Sequence, residues 1–182
     1  DDLARHRVVV AHCPESNLKL ASGFCPVAQL LGAGVAVAIG TDGAASNNDL
    51  DMFGEMRSAA LLAKGVAGDP SVMDAATALE TATMGGARAI GLEDRIGSIE
   101  PGKRADLTAV DFGCLQLAPV FNPLSHLVYA VSRRDVSDVW VDGRARVRDR
   151  VLIGVDIDRL VSNAARWAVQ AQAAIRARGA AS

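Results

Sequence analysis

The sequence predicts an α/β protein, and three observations carry that reading. Two continuous apolar runs, residues 8–11 and 35–39, flank one short helical stretch, which is the order of a βαβ unit. Neither run alternates with polar residues, as expected of parallel strands covered on both faces. Further along, two alternating runs, 136–141 and 144–147, meet at Asp142-Gly143. That pair between such runs is a strong hairpin signal, so a small antiparallel β segment follows the parallel one.

The elements follow in order. Residues 8–11 are mainly β-branched and read as a buried strand. They lead into His12-Cys13-Pro14-Glu15-Ser16-Asn17, which reads as a polar loop. Pro26 suits a first helical turn, Val27, Leu30 and Leu31 supply an apolar face, and Gly32 and Gly34 close the helix. The run 35–39 then stops abruptly at Gly40-Thr41-Asp42-Gly43. Met52, Phe53, Met56, Ala59, Ala60 and Ala63 fall near helical spacing, so 50–63 is expected to be a helix. Asp74 can cap a helix over 75–83, Gly85-Gly86 should break it, and Gly91 closes a short helix after the break. Beyond Gly91 the character changes. Residues 96–103 are turn-rich, 105–110 read as a strand and 123–131 as a helix. Residues 158–178, with Leu160, Val161, Ala164, Trp167, Ala168 and Ala171, form an amphipathic terminal helix. Three segments are expected: 1–94, the parallel α/β part; 95–153, the small β segment; and 154–182, the terminal helix.

Composition excludes several classes. The 182 residues are half apolar and 22% charged, which is globular and not disordered. A net charge of −2 supplies no field for nucleic acid or an anionic membrane. Aromatic residues make up only 4%, too few for base-stacking platforms. The longest apolar run falls far short of the ~20 residues a membrane span needs. Cys13, Cys25 and Cys114 are odd in number and none sits in a Cys-x-x-Cys pair, so they read as buried free thiols in a reducing, cytoplasmic setting. The chain opens Asp1-Asp2-Leu3, without an initiator Met or a signal peptide. It is therefore expected to be a segment of a longer protein.

Few residues declare a chemistry by position alone. Asp42 and His12 directly follow the two parallel strands, where α/β sites are built. A strand-end carboxylate is either a metal ligand that also moves protons or a cap for the following turn. His12 either touches a substrate or is a satisfied structural imidazole. Ser16, Asn17, Ser46, Asn47 and Asn48 are turn formers by type. Glu15 and Glu55 could serve acid/base work, though Glu55 is expected on a solvated helix face. His6 and His126 have no partner in a recognisable spacing. The alternating Arg144, Arg146, Arg148 and Arg150 read as solvated edge-strand charges.

Three of these segments carry a resemblance. They are Val10-Ala11-His12-Cys13-Pro14-Glu15-Ser16-Asn17-Leu18-Lys19-Leu20, Gly40-Thr41-Asp42-Gly43-Ala44-Ala45-Ser46-Asn47-Asn48, and Gly97-Ser98-Ile99-Glu100-Pro101-Gly102-Lys103-Arg104-Ala105-Asp106-Leu107. Together and in this order they resemble the amidohydrolase superfamily. Within it they look most like the purine and triazine hydrolases, and particularly the 5-methylthioadenosine/S-adenosylhomocysteine deaminases.

The resemblance implies the C-terminal part of a (β/α)8 TIM-type barrel, its last two strands and helices, with part of a small β-sandwich and a terminal helix. A whole barrel takes about 250 residues, so the missing N-terminal barrel half would be needed. The family's metal-binding His-x-His, its strand-five and strand-six histidines and its acid/base Glu have no match here. The implied activity is metal-dependent hydrolytic deamination of an adenine nucleoside with release of ammonia. The alternatives are a guanine-type or triazine-type amidohydrolase, or a truncated non-catalytic scaffold. Asp42 would be both metal ligand and catalytic proton acceptor. Ser46 matches a substrate-contacting Ser, and His12, Ser16 and Asn17 would shape the pocket wall. The cofactor would be one divalent ion, zinc, with iron or manganese as substitutes, its other ligands lying outside this chain. The partner would be a small purine nucleoside, with no nucleic acid and no membrane; the apolar face of the terminal helix leaves room for a homo-oligomer.

Overall fold

The computed structural model describes residues 2–179. The chain divides into two units, Asp1–Arg150 and Val151–Ser182.

The first unit opens with a helical turn, α1 (Asp2–Arg5), and then strand β1 (Val9–His12). Helices α2 (Pro14–Lys19) and α3 (Val27–Gly32) connect it to strand β2 (Ala36–Ile39). The two strands pair in parallel, with Val9 opposite Ala36 and His12 opposite Ile39, so their carboxyl ends lie side by side. The expected βαβ unit is thus present, with one correction. Residues 14–19 are a helix and not a loop. Pro14 occupies the first helical turn, where its fixed φ helps and its missing N–H is no loss.

Helix α4 (Met52–Ala67) is the centre of the core. The Asp51 side chain caps it by accepting from the Phe53 N–H at 3.0 Å, and Gly68 ends it at φ 64°. Met56, Ala59, Ala60 and Ala63 recur at helical spacing and bury against Val27, Ile39, Met73, Ala78 and Val128. A fully buried Val or Met side chain contributes about 1.5–3 kcal/mol, so this cluster holds the sheet and the helices together.

Helix α5 (Ala75–Glu80) starts as expected, with the Asp74 carboxylate accepting from the Thr77 N–H at 2.9 Å. Asp74→Ala is expected to lower stability by about 1 kcal/mol, read as a shift in the urea midpoint at unchanged slope. Gly85-Gly86 does not break the helix. The chain passes through a π-helical turn, Thr81–Gly85, directly into α6 (Gly86–Ala89). Gly85 serves packing instead. A Cβ built on it would lie 2.4 Å from the Val37 carbonyl oxygen and 3.3 Å from Ala38 Cα. Only glycine lets this helix rest directly on strand β2.

The later part of the unit is an antiparallel sheet in the order β3 (Leu107–Val110), β4 (Val136–Val141), β5 (Arg144–Arg148), with α7 (Pro123–Tyr129) between the first two. Asp142 and Gly143 join β4 to β5 at φ 52° and 74°, the two left-handed residues a tight primed turn requires. Arg144, Arg146 and Arg148 are the exposed positions of β5, as expected; Arg150 falls beyond the strand and pairs with Asp111 at 2.8 Å.

The second unit holds a short strand, β6 (Val151–Leu152), and a long helix, α8 (Ile157–Gly179). Asp156 accepts from the Arg159 N–H at 2.9 Å at the start of that helix. No helix among the described residues is long and apolar enough to cross a membrane.

Candidate metal and substrate site

The site is built where the two parallel strands end. Asp42 stands three residues past β2, at φ 60°. This left-handed conformation is uncommon outside glycine, and Asp tolerates it better than most residues. The Thr41 hydroxyl donates to the Asp42 carbonyl at 3.0 Å. Two further hydroxyls meet on one carboxylate oxygen: Ser16 Oγ donates to Asp42 Oδ2 at 2.8 Å, and Ser46 Oγ donates to the same atom at 2.6 Å. These bonds, led by that of Ser46, hold the carboxyl below the usual range, so it is ionised at neutral pH.

By resemblance Asp42 belongs at a strand end of a TIM-type barrel. In the structure it is exposed. Among the described residues the parallel sheet has two strands, β1 and β2, and their last residues, His12 and Ile39, are buried while Asp42 beyond them is not. Oδ1 accepts no side-chain hydrogen bond among the described residues, and it is the oxygen left available to a cation. An exposed, ionised carboxylate oxygen with no side-chain donor on it fits a divalent metal as one ligand. Among the described residues no three His, Cys, Asp or Glu side chains gather into a metal site. The chain therefore offers one ligand and not a complete set.

The loop that follows is pinned on several sides. Lys19 Nζ donates to the Ala45 carbonyl at 2.8 Å and to Asn48 Oδ1 at 2.7 Å. Asn47 Oδ1 accepts from the Leu50 N–H at 2.9 Å, while its amide donates to Glu55 Oε1. Asp51 accepts from the Arg133 N–H at 3.3 Å, and the Arg133 guanidinium donates to the Asp49 carbonyl. The antiparallel part of the unit thus braces the loop that carries Ser46.

Asp42 and Ser46, read as metal ligand and substrate-contacting residue, are joined by a hydrogen bond. Of the three residues read as pocket wall, Ser16 hydrogen-bonds to Asp42, and His12 and Asn17 do not. They line a small cleft with Pro14, Phe24, Cys25 and Leu62, and no hydrogen bond joins either of them to Asp42. His12 is 4% exposed, its Nδ1 is buried without a hydrogen-bond partner, and burial lowers its pKa. Ser16, from the neighbouring turn of α2, is the residue that reaches Asp42.

Glu55 is the largest departure. It was expected on a solvated face and is 0% exposed. Oε2 accepts from the Glu15 N–H at 3.2 Å, and burial, with no cation to offset it, pushes the carboxyl up to about 7. The signal was present in the sequence, because Glu55 lies four residues before the buried Ala59 and eight before Ala63.

The profile of the Amidohydrolase family matches residues 1–146. A 5-methylthioadenosine/S-adenosylhomocysteine deaminase of Teredinibacter turnerae is 54% identical over 165 residues, covering 91% of this chain and 37% of that protein. The crystal structure of an adenosine deaminase from Xanthomonas campestris with bound zinc superposes with a TM-score of 0.92 at 56% identity, over 94% of this chain and 39% of that one. An atrazine chlorohydrolase of Arthrobacter aurescens, complexed with zinc, superposes with a TM-score of 0.76 at 30% identity, over 88% of this chain and 36% of that one. The chain spans less than two-fifths of the length of these relatives.

Proposed function

Because this chain belongs to the amidohydrolase family, we propose that it is the C-terminal part of a metal-dependent aminohydrolase that releases ammonia from an adenine nucleoside of the 5-methylthioadenosine or S-adenosylhomocysteine type. On this reading β1 and β2 are the last two strands of a (β/α)8 barrel, β3, β4 and β5 belong to a small β-sandwich, and the setting is cytoplasmic. The observation that carries it is the Asp42 carboxylate. It lies just past the carboxyl end of a parallel strand, with two hydroxyls on Oδ2 and, among the described residues, no side-chain donor on Oδ1.

In the intact protein Asp42 would be one ligand of a divalent cation, zinc in preference to iron or manganese. When bound, that ion lowers the pKa of a coordinated water toward ~7. Asp42 would take a proton from the attacking water as its oxygen bonds to the amino-bearing ring carbon, and would return it to the nitrogen as the C–N bond breaks and ammonia leaves. The Ser16 and Ser46 hydroxyls fix the plane of the carboxylate and keep it ionised until that moment. Ser46 already spends its single proton on Asp42 and Gly43. It can therefore offer a substrate only an acceptor, which suits a substrate hydroxyl or amino group. His12 and Asn17 would border the substrate pocket from the adjoining cleft.

Ammonia release by the intact zinc-loaded protein from methylthioadenosine, S-adenosylhomocysteine, adenosine and guanine tests this reading. Turnover of an adenine nucleoside is expected. Turnover of guanine or a triazine alone would move the assignment to those branches. No turnover of any of them would favour a non-catalytic scaffold.

A further inference from the structure

Glu55 has no part in the chemistry above, yet it is a fully buried carboxylate with no cation paired to it among the described residues. Such a group is expensive to retain, and replacing it with an apolar side chain would ordinarily favour stability. Its partners point to what it does. Oε2 accepts from the backbone N–H of Glu15, the residue before Ser16. Oε1 accepts from the side-chain amide of Asn47, the residue after Ser46. Ser16 and Ser46 in turn both donate to Asp42 Oδ2. The bonds close a ring: Asp42, Ser16, Glu15, Glu55, Asn47, Ser46 and back to Asp42.

We propose that Glu55 is the positioning residue of this site: one buried carboxylate ties the two strand-end segments together so that both serine hydroxyls converge on one oxygen of Asp42 and leave the other free. The inference rests on the reading of Asp42 as a metal ligand. Two features make a carboxylate specifically suited to the task. Both partners are donors, so both oxygens of Glu55 have to accept. Asn47 cannot reverse its amide, because its Oδ1 already accepts from the Leu50 N–H at 2.9 Å and the Asp49 N–H at 3.3 Å. A glutamine at position 55 places an NH2 against one of the two donors in either orientation, and one side of the ring opens. Ser58 strengthens the same corner, donating to Glu15 Oε1 at 2.8 Å.

The test is Glu55→Gln in the intact protein, beside Asp42→Asn, at a pH above the Glu55 pKa. Three quantities are measured: zinc affinity by chelator competition, amide exchange of residues 14–17 and 43–51 in the metal-free protein, and kcat and KM. Loss of a group that orients a metal ligand costs roughly 10–100-fold in affinity. That weakening is expected for Glu55→Gln, with faster exchange in both segments and a fall in kcat at nearly constant KM. If Glu55→Gln does not fold, Asn47→Asp opens the same ring from the loop side, and the same three changes are expected. Wild-type exchange and wild-type zinc affinity in the folded variant would overturn the role of Glu55. Unchanged zinc affinity in Asp42→Asn would instead overturn the assignment of Asp42, whatever Glu55→Gln does.

Discussion

Asp42→Asn in the intact protein is expected to remove bound zinc and to lower turnover by roughly a thousandfold or more, because both the ligand charge and the proton acceptor are lost. The side chain keeps its size, so the comparison isolates chemistry. If the amide oxygen takes the place of Oδ2, it still accepts from Ser16 and Ser46, and the NH2 group faces the position of the cation. In the reverse orientation a neutral oxygen faces the cation and the two hydroxyls confront a donor. Neither arrangement supplies a negative charge or a site for the proton. The metal-free variant should still fold, since Asp42 is exposed. Metal analysis and steady-state kinetics check the result. Full zinc occupancy together with full turnover would remove Asp42 from the site.

Gly85→Ala carries the second large effect, and it acts through the fold. Alanine in an interior helical position normally gains about 1 kcal/mol over glycine. Here its Cβ would meet the Val37 carbonyl oxygen at 2.4 Å. The obstruction is backbone on both sides, so no rotamer change relieves it, and the helix has to lift from β2. Overpacking of this kind costs about 1–3 kcal/mol, and the severity of the overlap puts the net loss near the upper end. The urea midpoint should fall at unchanged slope. Because Asp42 follows β2 closely, zinc affinity in the intact protein should fall as well. A variant as stable as the parent would mean that Gly85 is not what sets this helix-to-strand approach.

Much of this architecture was legible in the residues. Residues 35–39 announced a strand by lacking alternation, and β2 lies there. Asp142-Gly143 announced a turn, and both residues adopt the left-handed conformation. Asp74 announced a cap and makes the expected bond. Asp42 and Ser46 fall within one short motif, and the structure joins them at 2.6 Å. Three readings went the other way. Pro14 was taken as a loop residue and begins a helix, since a proline suits a helix start as well as a turn. Gly85 was taken as a breaker and lies within a continuous helical run. Glu55 reads as a residue of a solvated helix face and is wholly enclosed.

The division follows the range of the forces involved. Strand period, turn conformation and helix caps depend on residues within one turn or one strand of each other, so the sequence by itself determined them, along with the family to which the chain belongs. The burial of Glu55, the absence of a Cβ at Gly85 and the convergence of Ser16 and Ser46 on one oxygen depend on which surface a distant segment covers. Glu15 meets Glu55 across forty positions and Ser16 meets Asp42 across twenty-six. Only the tertiary structure decided those meetings, because no local preference encodes a hydrogen bond whose partner arrives from another element.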